Sequence, residues 1–123
     1  MRREQRLRKS SDFATAYREG RSFSSGLLVI RPRANALLHN RYGFVTARSV
    51  GKAVVRNRVR RRLREVVRSL RLREGWDIVV IARRSAAEAT YWELRDSLAS
   101  LLKRAGIASR STLNEVQEGI VEA

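Results

Sequence analysis

A short stretch of the chain is unusually dense in arginine, and this density indicates phosphate recognition. Six of the nine residues from Arg56 to Arg64 are arginines. Guanidinium groups are planar, permanently charged and able to bind a phosphate through two hydrogen bonds. Because phosphates repeat along a nucleic-acid strand, such a row can neutralise several at once and release their counterions. The stretch therefore predicts a nucleic-acid-binding surface, and an ordinary solvated charged face is the alternative.

Hydrophobic periodicity places these arginines on a helix predicted over residues 52–73, with Arg56 near its apolar arc. At helical spacing, one arc of the helix is apolar and consists of Val55, Val59, Leu63, Val66, Val67 and Leu70. The rest of the surface is cationic and holds Asn57, Arg58, Arg60, Arg61, Arg62, Arg64, Arg68 and Arg71. Like charges four residues apart destabilise a helix by about 0.2–0.5 kcal/mol per pair, and only Glu65 lies nearby to relieve them. The repulsion favours an anionic partner over a merely solvated face.

The bulk composition predicts one compact, basic and cytoplasmic domain. The chain has 123 residues, a formal net charge of +15 and no cysteine, which excludes disulfides, thiolate metal sites and a thiol nucleophile. No segment has the pattern of a signal peptide or a membrane span. All but three of the 27 basic residues are arginines, a ratio that suits phosphate binding but that codon bias also explains. The charge lies before residue 111, because the last 13 residues contain glutamates and no basic residue.

Residues that could carry independent catalysis are scarce. The one histidine, His39, falls in a predicted polar loop from Ala34 to Asn40 and is expected to be exposed and incidental. The acidic residues are scattered, without the paired motif of a two-metal nuclease. Glu93 is explained as a helix-capping residue three positions after Thr90. We therefore assign no catalytic and no metal-binding residue.

Turn signals and periodicity predict the elements around the arginine helix. The sequence predicts, in order, a helix from Asp12 to Gly20, one or two strands between Ser22 and Pro32, a strand over Arg41–Ala47, the arginine helix capped by Ser49 and ended by Gly75, a buried strand over Trp76–Ala82, and a helix from Thr90 to Gly106. The natural packing is an open sheet with helices mainly on one face. The strand–helix–strand unit from Arg41 to Ala82 predicts a parallel crossover, right-handed by default.

The arginine helix also carries a resemblance to a known family. The run from Gly51 to Glu65, GKAVVRNRVRRRLRE, resembles the "RNR" helix of the bacterial ribonuclease P protein family. The similarity extends from Arg6-Leu7-Arg8-Lys9 and Asp12-Phe13 upstream to the Asp77–Arg83 segment downstream, and covers roughly residues 5 to 105. One departure is Arg48-Ser49, where the family commonly has two lysines.

The resemblance implies a specific fold. It is a single α+β domain with element order α-β-β-β-α-β-α, a mixed open sheet and a left-handed β-α-β crossover, which replaces the default hand given above. We expect this domain over residues 1–110 and a flexible acidic tail over residues 111–123.

The resemblance further implies an RNA-binding subunit that is inactive by itself. Such a protein binds the catalytic RNA of ribonuclease P and the 5′ leader of precursor tRNA, and assists removal of the leader with Mg²⁺ held mainly by the RNA. The expected contacts to the catalytic RNA are Arg56, Asn57, Arg58, Arg60, Arg61, Arg62, Arg64 and Arg68. The expected leader contacts are Phe13, Tyr17, Arg48, Arg83 and Arg84. The two rings could instead pack in the core, and the three arginines could be solvated charges at strand ends.

Two other classes of protein fit parts of the pattern. Asn57 among arginines is similar to the basic region of a leucine-zipper regulator, but Gly75 interrupts the heptads that a zipper needs. A basic amphipathic helix can also bind a membrane surface, but this one has no aromatic anchor on its apolar face. Neither DNA nor a membrane is therefore an expected partner.

Overall fold

The central feature of the protein is one four-stranded mixed sheet. The computed structural model describes residues 3–7, 13 and 21–108. Among them, the strands are β1 (Phe23–Ser24), β2 (Leu28–Ala34), β3 (Arg41–Thr46) and β4 (Trp76–Ala82), in the order β1-β2-β4-β3. β4 is antiparallel to β2 and parallel to β3. The sheet is open, as expected for the predicted α+β class.

Two helices cover one face of this sheet and form the main core with it. They are α1 (Ala53–Ser69) and α2 (Tyr91–Arg104). Because side chains alternate along a strand, Leu28 and Ile30 of β2 point to the same face as Ile78 and Val80 of β4, and all four are buried. Val79 is buried on the opposite face, beside Leu7. The predicted burial of β4 on both faces is confirmed.

The connection from β3 through α1 to β4 is the predicted parallel crossover. Its register runs from Arg41 opposite Asp77 to Thr46 opposite Ala82. Parallel neighbours require such a connection, because a tight hairpin joins only antiparallel strands. The crossover places α1 beside β3 at the edge of the sheet. The left hand that the resemblance implies stays a prediction.

The ends of α1 differ from the predicted ends. Ser49 lies in a separate 3₁₀ turn over Arg48–Val50, and the residue that precedes α1 is Lys52, without a side-chain cap. The helix stops at Ser69 instead of continuing to the predicted end at residue 73. Long-range pairing explains the early stop, since Leu72 forms an antiparallel bridge with Ala108 and the Arg73 amide donates to the Ile107 carbonyl at 2.8 Å.

β2 continues past the predicted boundary at Pro32 and ends at Ala34. Proline removes a main-chain donor, which is tolerated where a strand has a free edge. β1 pairs with Val29 and Ile30, and no strand among the described residues pairs with the rest of β2 on that side. This edge explains how a proline fits within the strand.

The limits of α2 agree with the sequence. Thr90 and Glu93 form the predicted capping box, and the hydrogen bonds from Thr90 hold the pKa of Glu93 below its usual value. Gly106 follows the helix with a φ of 79°, the left-handed conformation that favours glycine. The helix predicted between Asp12 and Gly20 lies outside the described residues except for Phe13, and so do residues 111–123.

A buried polar network joins the starts of β3 and β4. Asp77 is completely buried and accepts two hydrogen bonds from Arg41, at 2.8 and 2.6 Å. Asn35 donates a third, at 2.8 Å. The predicted polar loop also contains a buried residue, Asn40. Its side chain donates to the Arg73 carbonyl and accepts from the Trp76 amide. These bonds fix the loop against the sheet.

Candidate nucleic-acid interface

The arginine helix α1 is amphipathic in the way its sequence predicts. Val59, Leu63, Val66, Val67 and Leu70 are buried, and Val55 is half-buried against the same core. Asn57, Arg61 and Arg68 are exposed on the outer surface. Arg71 is exposed too, but it lies in the connection after the helix. Packing of the apolar arc onto the sheet therefore fixes the direction in which the cations face.

Three arginines on α1 are half-buried and also contact the rest of the fold. Arg58 Nη2 donates to the Ala87 carbonyl at 3.1 Å, and Arg62 Nη1 donates to the Ala89 carbonyl at 2.7 Å. Arg60 Nη1 donates to Thr46 Oγ1 at 2.7 Å. These bonds tie α1 to the turn before α2 and to β3. The three side chains therefore support the structure as well as adding charge to the surface.

Other α1 residues show how the charge is arranged. Arg56 is half-buried, and its Nε has no hydrogen-bond partner among the described residues, consistent with a position near the apolar arc. Burial lowers the pKa of Arg64, and the positive charges of Arg6 and Arg60 lower it further. Glu65 relieves part of the repulsion by pairing with Arg68 at 3.0 Å. The predicted crowding of like charges is present at Arg64.

Phe13 lies on the opposite face of the sheet from α1 and α2. It is half-buried and packs beside Leu7, Val79 and Val45 in a small second cluster. The ring therefore combines features of the two alternatives, a core position and a leader contact. It packs on the sheet, as a core residue does, and it keeps an exposed part, as a leader contact requires. Tyr17 lies outside the described residues. Its contact with the leader stays a prediction.

The three strand-end arginines are all exposed and lie at one end of the sheet. Arg48 follows β3, while Arg83 and Arg84 follow β4, whose carboxyl end is adjacent because the two strands are parallel. Arg83 Nη1 donates to the Ser25 carbonyl at 3.0 Å. On the open face, Val45 and Ile81 lie between this end and Phe13. Apolar side chains of the sheet therefore connect Phe13 with the strand-end arginines on the surface expected to bind the leader. The binding role of these arginines stays a prediction.

Two arginines that the sequence pattern did not single out also face this side of the sheet. Arg31 and Arg33 alternate with the buried Ile30 and Pro32 along β2, so they point to the face that Phe13 occupies. Arg33 Nη1 lies 3.8 Å from the Asp77 carboxylate. The alternation of apolar and basic residues was the available signal. The open face is therefore more basic than the sequence analysis predicted.

The described residues contain no group of three His, Asp or Glu side chains that could hold a metal ion. The fully buried carboxylate, Asp77, already binds Arg41. His39 is half-buried rather than exposed as predicted, and its Nε2 lies 3.0 Å from the Glu4 carbonyl oxygen. These residues therefore do not fit an Mg²⁺ site.

The fold also bears on the two rival classes. A leucine zipper needs a long helix with a free apolar seam, whereas α1 ends at Ser69 and buries Leu63 in the core. The same burial leaves the apolar arc unavailable to a membrane surface. Within the part of the chain that the structure describes, no helix has the length and hydrophobicity needed to cross a membrane.

Comparisons with known proteins agree with this architecture. The sequence matches the family Ribonuclease P over residues 1–106. It is 42% identical over 110 residues to the ribonuclease P protein component of Roseiflexus castenholzii, covering 87% of this chain and 90% of that protein. The corresponding protein of Symbiobacterium thermophilum is 42% identical over 113 residues, covering 89% of this chain and 98% of that one.

Solved structures show the same relationship. The RNase P protein of Staphylococcus aureus superposes with a TM-score of 0.77 at 30% identity, covering 85% of this chain and 98% of that one. The RNase P protein of Thermotoga maritima gives a TM-score of 0.72 at 36% identity, covering 80% and 96%. Sequence, fold and arginine helix thus lead to one conclusion: the chain belongs to the ribonuclease P protein family.

Proposed function

We propose that this protein is the RNA-binding subunit of ribonuclease P and assists removal of the 5′ leader from precursor tRNA. The main support for the proposal is the way in which α1 packs on the sheet. Its apolar arc is buried, so its cations face outward on a rigid support. Family membership implies a partner RNA subunit, which supports the catalytic RNA as the ligand proposed for that surface.

The arginine surface would bind the catalytic RNA mainly through phosphates. Arg56, Asn57, Arg58, Arg60, Arg61, Arg62, Arg64 and Arg68 are the proposed contacts. Arg58 and Arg62 already have one nitrogen each on a backbone carbonyl, which limits the motion of their guanidinium groups. Restrained cations lose less conformational freedom on binding than free ones. Phosphate neutralisation also predicts a strong dependence of affinity on salt.

The open face of the sheet would bind the leader. Phe13 provides a ring on which an unpaired base can stack, at about 1–3 kcal/mol per base. Tyr17 is proposed as a second ring. Arg48, Arg83 and Arg84 would hold phosphates at the strand ends. Since mature tRNA has no leader, every contact made here favours precursor over product.

Catalysis in this proposal belongs to the RNA, which would bring the active site and its Mg²⁺ ions. The described residues support this division, since their carboxylates are not gathered into a metal-binding group. The protein's part is to reduce repulsion between the two RNAs and to hold the leader. Each of these effects changes binding and leaves the chemistry to the RNA.

Identification of the bound RNA tests the partner directly. The protein is purified from its own cells under conditions that preserve complexes, and the associated RNA is sequenced. The proposal predicts enrichment of one structured RNA together with tRNA precursors that retain their leaders. Enrichment of DNA, or of unrelated RNA in proportion to its abundance, contradicts it. A charge-matched basic protein from the same cells serves as the control for nonspecific binding.

A further inference from the structure

A recess of about 160 Å³ lies beside the edge strand β3, between the N-terminal segment and α1. Its lining includes Arg6 and Phe13 from before β1, Phe44 from β3 and Arg64 from α1. Backbone pairing holds the N-terminal segment there, because the Leu7 amide donates to the Tyr42 carbonyl at 2.9 Å. The recess thus brings together a residue proposed for the leader and one proposed for the catalytic RNA.

Among the described residues, both charged side chains that line this recess are cationic. Its two cations come from segments far apart in sequence, and no carboxylate is among the described residues that line it. Burial lowers the pKa of Arg64, and the nearby Arg6 lowers it further. An anion placed between the two guanidinium groups would reverse this second effect, because opposite charge stabilises the cationic form. The geometry and the charge therefore favour an anionic ligand.

We propose that this recess binds one phosphate of the 5′ leader, with Arg6 and Arg64 as its two cationic ligands. The proposal rests on the function proposed above and makes it more specific. A recess of this size accommodates one phosphodiester group. The leader is favoured over the catalytic RNA because Phe13 lines the recess, so a strand stacked on its ring passes the two arginines. This proposal moves Arg64 from the set of catalytic-RNA contacts given above to the contacts with the substrate.

Single neutral linkages in the leader test this assignment. Holoenzyme is assembled with wild type, Arg6→Gln or Arg64→Gln, and its affinity is measured for precursors with one methylphosphonate at successive leader positions. We expect each variant to bind the unmodified precursor about tenfold more weakly, the size of one charge-assisted hydrogen bond. One neutral linkage should weaken wild type by at least a similar factor and should have a smaller effect on either variant, in which one of the two cations remains. Lys103→Ala, which removes an exposed cation from α2, should leave all affinities unchanged.

Other outcomes overturn the assignment without affecting the proposed function. If Arg6→Gln retains wild-type affinity for every leader, the recess does not bind the substrate. If Arg64→Gln weakens binding of leaderless tRNA equally, or weakens assembly with the catalytic RNA, the phosphate belongs to that RNA instead. Thermal denaturation of each variant shows whether the fold is intact, and Arg64→Lys provides a second, charge-conserving variant. Wild-type processing in the presence of the catalytic RNA tests the proposed function separately.

Discussion

The ring of Phe13 lies against Gly43, so close that no side chain fits between them. A Cβ atom built on Gly43 would fall 2.4 Å from Cε1 and 2.5 Å from Cζ of the ring. Real Cβ atoms do not approach other atoms this closely. The glycine in β3 therefore forms the seat for the aromatic residue that we assign to the leader, and it also fixes the depth at which the ring lies.

Gly43→Ala should displace the Phe13 ring. We expect a loss of about 1–3 kcal/mol in the free energy of unfolding, typical of overpacking, and weaker binding of leader-bearing precursor by the holoenzyme. Urea denaturation and precursor binding measure the two effects. Gly26→Ala is the matched control, because a Cβ there meets nothing within 4 Å. Normal stability and leader discrimination in Gly43→Ala would show that the ring does not depend on this seat.

Substitution of Phe13 separates packing from stacking. Phe13→Leu keeps an apolar side chain on the sheet but removes the aromatic platform, so it should weaken binding of leader-bearing precursor by about 1–3 kcal/mol and largely preserve stability. Phe13→Ala should lose both, with a stability loss below the roughly 3–5 kcal/mol of a fully buried phenylalanine, since the ring is half-buried. Leaderless tRNA should bind all forms equally. Equal precursor affinity for Phe13→Leu and wild type would assign the ring to packing alone.

Tyr17→Ala tests the second proposed ring. We expect weaker binding of precursor and unchanged assembly with the catalytic RNA, because the proposed contact is with the leader. The loss should be about 1–3 kcal/mol if one base stacks on the ring. Tyr17→Phe keeps the ring and should retain wild-type affinity. A loss in Tyr17→Phe as large as that in Tyr17→Ala would attribute the contact to the hydroxyl group instead.

Substitutions on α1 should divide by their contacts with the fold. Arg61 is exposed, so Arg61→Ala should leave stability unchanged and reduce the magnitude of the salt-dependence slope for catalytic-RNA binding by about 0.7–0.9. Arg62→Ala should reduce the slope similarly and also cost about 1 kcal/mol of stability, because it removes the hydrogen bond to the Ala89 carbonyl. Binding titrations at several salt concentrations and thermal denaturation measure both. An unchanged slope in both variants would show that this surface does not contact RNA phosphates.

For the buried ion pair between Arg41 and Asp77, we predict an effect on the free energy of unfolding alone. Asp77→Ala leaves the half-buried Arg41 without its carboxylate partner and should cost about 3–5 kcal/mol in the free energy of unfolding. The double variant Arg41→Ala with Asp77→Ala should be less destabilised than the sum of the two single variants, since it does not leave the charge of Arg41 without its partner. Denaturant unfolding of the four proteins measures the coupling. Additive losses would show that the pair contributes no coupling.

Local pattern was sufficient to predict α1 and the strands, because periodicity reports which face of an element is buried. The apolar stripe from Val59 to Leu70 and the buried run from Trp76 to Ala82 were both predicted correctly. The end of α1 was not, since its stop depends on pairing of Leu72 with Ala108, 36 positions along the chain. No local signal near Ser69 encodes that contact.

The candidate site shows the same division. The sequence identified the arginines of α1, yet it could not reveal that Arg58 and Arg62 bind the turn before α2, since that contact follows from packing. The sequence likewise assigned Phe13 to the leader-binding surface and Arg64 to the surface that binds the catalytic RNA. Their common recess depends on how the N-terminal segment pairs with Tyr42 of β3. The sequence was therefore sufficient to identify candidate binding residues, but the fold was needed to show which of them lie together.

The most direct test of the central claim is cleavage of precursor tRNA by the protein with and without its cognate RNA. Protein cleared of nucleic acid and contaminating nucleases should not cleave, because the described residues gather no metal-binding group. Addition of the catalytic RNA with Mg²⁺ should give cleavage at the mature 5′ end, and at moderate salt the protein should increase the rate for leader-bearing precursor over RNA alone. Correct 5′ cleavage by the RNA-free protein, or no effect of the protein on the RNA-catalysed reaction, would contradict the account.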